Sequence, residues 1–169
     1  MLRIASVCIT VLLACSVAQA APSVQVIAKG LVNPRGIAFA PTGQLFLTEA
    51  GRGGNGKCTV LGDGQNACYG ETGALTRIDP AGASAPVRVV TGLPSLAAPG
   101  GFAATGPYAV SFHGKKADLV IGLGTVAAAR HGLGAKSALL GTVVQMCWHG
   151  RHLQVADIAR FEAINNPCQ

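Results

Sequence analysis

The feature that most constrains this chain is an internal repeat. Pro34-Arg35-Gly36-Ile37-Ala38-Phe39 lines up with Pro107-Tyr108-Ala109-Val110-Ser111-Phe112 at an offset of 73 residues, and the same offset carries Phe46-Leu47 onto Leu119-Val120 and Gly51 onto Gly124. Downstream, Gly73-Ala74-Leu75-Thr76-Arg77-Ile78 matches Gly141-Thr142-Val143-Val144-Gln145-Met146 at an offset of 68. Self-similarity at a fixed period marks a repeat architecture, in which each copy buries its apolar face against the next.

The copies read as strands. Short β-type runs fall at residues 24–28, 36–40, 44–49, 74–79 and 87–91, then at 109–112, 119–122, 142–146 and 152–156. Turn chemistry separates them at Pro41-Thr42-Gly43, Asp79-Pro80-Ala81-Gly82 and His113-Gly114. One short helix is expected at 157–164, capped by Asp157. The fold expected is therefore all-β, and four strands per copy match a β-propeller blade. Blade one would span about 33–94 and blade two about 106–158. A closed propeller needs about 4 to 8 blades, so two describe a partial propeller and the chain reads as a truncated copy. Strand edges left open would invite self-association.

Ahead of the repeats, Arg3, the apolar run from Ile4 to Val17 and the small-x-small pattern Ala18-Gln19-Ala20 read as a secretory signal peptide over 1–20. The apolar run falls short of the roughly 20 residues that cross a bilayer, so no membrane span is expected. Leu12-Leu13-Ala14-Cys15 approximates a lipobox, which keeps a lipoprotein anchored at Cys15 as an alternative. The expected location is periplasmic or extracellular.

Cleavage would leave residues 21–169 as one domain of ordinary size. Charged residues make up only 12% of the chain, against a usual figure of about 25%, and the formal charge of +6 is scattered, with only Lys115-Lys116 adjacent. No basic stripe with interleaved aromatics exists, so nucleic acid is not an expected partner.

In an oxidising compartment Cys58 and Cys68, flanking a loop rich in Gly, Asn and Asp, are disulfide candidates; the pairing of Cys147 and Cys168 stays open. Gly51-Arg52-Gly53-Gly54-Asn55-Gly56-Lys57-Cys58 imitates a phosphate-binding loop, but Thr59-Val60-Leu61-Gly62 cannot start the helix that such a loop needs. Cys147, His149 and His152 offer soft metal donors, yet a strand turn would splay them to opposite faces.

The stretch from Gly30 to Gly51 looks like an NHL-type repeat. Glu49-Ala50-Gly51-Arg52-Gly53-Gly54, Cys58 with Cys68-Tyr69-Gly70-Glu71-Thr72-Gly73, Val89-Val90-Thr91-Gly92-Leu93-Pro94-Ser95-Leu96 and Val155-Ala156-Asp157-Ile158 more narrowly resemble the ScyD/ScyE family. That resemblance implies an exported six- or seven-bladed propeller and brings no catalytic residue set with it. Loops entering the innermost strands of a propeller line its channel mouth, which nominates Asn33, Arg35, Glu49 and Tyr108. The function expected is a noncatalytic binding or scaffold protein, holding a protein partner or a small apolar molecule. The alternative is a metal-dependent hydrolase or lactonase with calcium or zinc at Glu49 and Asn33.

Overall fold

A computed structural model describes residues 23–147 and 152–165. The expected signal peptide, Cys15, His149 and Cys168 lie outside the described residues. Among them the chain is mostly β, in two antiparallel sheets.

The first sheet contains β1 (Pro34–Phe39), β2 (Leu45–Glu49), β3 (Cys58–Val60), β4 (Asn66–Ile78) and β5 (Val87–Ala97). Its order is β1-β2-β4-β3, with β5 also paired to β4. The long β4 makes this branching feasible: its first half pairs with β3, its second half with β2, and β5 runs along it with register breaks around Gly70 to Thr76. The second sheet is β6 (Pro107–His113), β7 (Lys116–Ile121), β8 (Thr142–Cys147) and β9 (His152–Asp157), paired in that order. Helix α1 (Ile158–Asn165) follows, and Asp157 caps it by accepting the Arg160 N–H at 2.9 Å.

Matched segments of the repeat occupy matched strands, with one correction to the alignment. Phe39 pairs with Leu45, six residues on, whereas Phe112 pairs with Ala117, five on. The second turn is one residue shorter, so Phe46 corresponds to Asp118 and Leu47 to Leu119. Because side chains alternate, this slip decides which face each residue joins. Leu119 lies at the position of Leu47, and Asp118 at that of Phe46.

The main core lies between the sheets, where Phe46, Leu75 and Leu96 meet Val110, Leu119, Ile121 and Val144. Gly36 permits a close approach of β6: a Cβ there would stand 2.7 Å from the Tyr108 carbonyl oxygen. Thr48, fully buried beside it, accepts the Gly36 N–H at 2.9 Å and donates to the Tyr108 carbonyl at 3.0 Å.

The strand expected at 24–28 does not form. Those residues run unpaired, and Ile27, Ala28 and Leu31 lie across Leu45, Leu47 and Ile78 on the first sheet's other face. Lying across that triplet takes apolar surface out of water on both sides of the contact. The sequence also missed β3, which is three residues long and carries no apolar alternation.

Candidate functional site

The four nominated channel-mouth residues do not converge. Asn33 donates through Nδ2 to the carbonyls of Gly51 at 2.7 Å and Gly101 at 2.8 Å, while Arg35 donates to the Ala104 carbonyl at 2.8 Å. Both tie β1 to the loop ahead of β6. Tyr108 projects outward at 61% exposure. Glu49 turns the other way, into the first sheet's outer face, where it is fully buried.

Glu49 is held on both carboxylate oxygens. Oε1 accepts from the Thr76 hydroxyl and from Arg88 Nε at 2.9 Å, while Oε2 accepts from Arg88 Nη2 at 2.8 Å and the Val32 N–H at 2.5 Å. Burial pushes this carboxyl up, but the hydrogen bonds from Arg88, Thr76 and Val32, with the Arg88 charge, outweigh it and hold the group below the usual carboxylate range. Arg88 in turn is raised by Glu49 and also donates to the Gly30 carbonyl, so the pair clamps the segment before β1. A metal at Glu49 would have to displace this bidentate guanidinium. Glu49 does not suit calcium or zinc as arranged. Among the described residues, no three His, Cys, Asp or Glu side chains gather closely enough to hold a metal ion.

Cys58 and Cys68 are joined, directly across β3 and β4. The glycine-rich excursion before them leads into a strand, so it presents no helix N-terminus to a phosphate. The disulfide steadies a hairpin that reaches the second sheet, where the Gly62 N–H donates to the Gly124 carbonyl at 2.8 Å and the Thr125 hydroxyl to the Val60 carbonyl at 2.8 Å. A reciprocal arm returns from the second sheet. Gly134 packs so close to the Tyr69 ring that a Cβ there would clash with it, the Lys136 N–H donates to the Tyr69 hydroxyl at 3.1 Å, and Lys136 Nζ reaches Glu71 at 3.1 Å and the Gly92 carbonyl at 2.7 Å. Burial and the neighbouring Glu71 raise the Tyr69 hydroxyl above its ordinary value, partly offset by the Lys136 N–H. The Cys-Tyr-Gly-Glu-Thr-Gly segment therefore joins the two sheets.

Between the hairpin, the loop after β7 and α1 lies an open groove of about 990 Å³. Val60 and Leu61 line it from the hairpin, Leu123 and Val126 from the loop after β7, and Ile158 from α1, with Glu162 the one ionisable lining residue among the described residues. Beside it, Arg130 is buried and grips Asp157 at 2.8 and 2.5 Å while donating to the Leu140 carbonyl at 2.9 Å, which fixes the start of α1. Hydrogen bonding by Arg130 depresses the Asp157 carboxyl against a smaller opposing effect of burial. Sequence reading missed this groove because its walls are far apart in the chain; only the disulfide hinted that the hairpin was held for a purpose.

No protein family, curated protein or solved structure matches the chain.

Proposed function

We propose that the chain is an exported, noncatalytic binding protein built from propeller-type blades, holding an uncharged, mostly apolar molecule in the groove between β3, the loop after β7 and α1. The observation that carries this reading is the groove itself: about 990 Å³, within the range of small-molecule sites, with valine, leucine and isoleucine walls. Two face-to-face sheets, each carrying one copy of the repeat, support the blade reading. The Cys58–Cys68 disulfide supports an oxidising compartment. The resemblance to the ScyD/ScyE family points the same way, toward exported propellers with no catalytic set. The hydrolase reading draws no support from Glu49, whose acceptor positions are all filled.

The test is a fluorescence titration of the oxidised protein with Nile red, an uncharged apolar dye. Saturable binding should weaken at least tenfold in Val126→Glu, a substitution at a residue already 64% exposed and so tolerated by the fold. Dye binding that is absent, or indifferent to Val126→Glu and Val60→Glu, would reject the groove.

A further inference from the structure

An apolar stripe on β1 has a buried counterpart inside the same chain. The repeat sets Ile37 and Phe39 against Val110 and Phe112. In β6 these side chains face the first sheet: Val110 is buried and the Phe112 ring packs on Phe46 at 4.9 Å. In β1 they sit beside Leu47 and Leu45 on the first sheet's opposite face, and remain 59% and 64% exposed. Ile27, Ala28 and Leu31 cover Leu45, Leu47 and Ile78, yet leave Ile37 and Phe39 open.

The complementary surface is on the second sheet. Within the chain, β6 is received by the side of β1 that carries Gly36 and Ala38. Their repeat mates in β6 are Ala109 and Ser111, on the side facing away from the first sheet. There Ser111 is exposed, and Ala109, Val120 and Val143 are half-buried. Among the described residues, one end of the two-sheet stack thus presents an inserting strand with nothing to enter, and the other a receiving face with nothing on it.

We propose that the chain associates head to tail with further copies of itself, β1 of one copy packing on the outward face of β6, β7 and β8 of the next. This rests on the blade reading, since it continues between copies the packing that β6 makes on β1 and β2 within one. A heterologous contact of this kind closes into a ring where its rotation permits. Two sheets per copy and about 4 to 8 blades per ring give two to four copies. Two differences weaken the contact relative to its internal counterpart. Ala109 replaces Gly36, where β1 and β6 approach closely, and Asp118, accepting from Gln145 Nε2 at 2.9 Å, replaces the ring of Phe46. Association is therefore reversible and concentration-dependent.

The test is sedimentation of the exported, oxidised chain over a hundredfold range of concentration, with Phe39→Lys and Ser111→Arg alone and mixed. The wild-type mass should rise to that of two to four copies. Each variant should stay monomeric, with an unfolding midpoint unchanged at low concentration. An equimolar mixture should form a heterodimer and nothing larger, because one variant keeps an intact β1 and the other an intact receiving face. A wild-type protein monomeric throughout, an oligomer that survives Phe39→Lys, or a mixture that stays monomeric would each overturn the proposal. Neither substituted residue lines the groove, although Val120 of the receiving face does, so the dye titration is run at the low concentration where the chain is monomeric and stands or falls separately.

Discussion

The Phe112 ring lies against the Phe46 ring with centroids 4.9 Å apart and planes tilted by 50°. This pair seats β6 on the first sheet, at the heart of a core drawn from both repeats. Tilted rings at this distance contribute about 0.5 to 1.5 kcal/mol beyond the area they bury. Phe39, the repeat mate of Phe112, makes no such contact among the described residues and is 64% exposed.

The two phenylalanines should therefore respond differently to the same change. Phe112→Ala is expected to destabilise the monomer by about 3 kcal/mol, the lower end for a core phenylalanine because the residue is only partly buried. Phe39→Ala should change monomer stability by less than about 0.5 kcal/mol, as at other exposed positions. Urea unfolding at low protein concentration measures both, and equal losses would contradict the packing described.

Acid should unfold the protein through its clamped carboxylates. Glu49 and Asp157 are both held below their ordinary values, so each contributes stability that is present above its unfolded-state value and is lost as pH falls through its folded-state value. Replacing Arg88 with Met removes the main partner of a fully buried carboxylate; a loss of about 3 kcal/mol at neutral pH is expected. The slope of stability against pH below the carboxylate range should flatten in Arg88→Met. An unchanged acid limb would show that Glu49 is not the group responsible.

Removing the disulfide should loosen the hairpin that walls the groove. The Cys58→Ser/Cys68→Ser double variant should lose about 2 to 3 kcal/mol by the chain-entropy argument for so short a loop. Amide exchange should accelerate across β3 and at Gly62, whose N–H bonds the Gly124 carbonyl, while β7 and β8 keep their protection. Exchange that quickens evenly through both sheets would mean that the crosslink holds the whole fold rather than the hairpin.

The strand content, the placement of β1, β2, β6, β7, β8 and β9 and the Asp157 cap were legible because each depends on local chemistry: alternation along a strand, glycine and proline at turns, an acceptor at the first free N–H groups of a helix. The Cys58–Cys68 pair was legible from closeness in sequence. Glu49 illustrates the opposite case. Its sequence context, at the end of a strand near a glycine-rich loop, suits a channel-mouth ligand as well as a buried ion pair, and Arg88, its partner, lies 39 residues away.

By itself the sequence determined the repeat, and with it an all-β chain whose two copies must bury apolar faces against something. Tertiary structure alone decided the one-residue slip that places Leu119 rather than Asp118 in the core, the use of residues 27–31 as a cover instead of a strand, and the gathering of β3, the loop after β7 and α1 around a groove. The reason is one of range. Periodicity reports which side chains share a face, but which face meets which is set by turn length and by competition among distant segments for the same apolar surface.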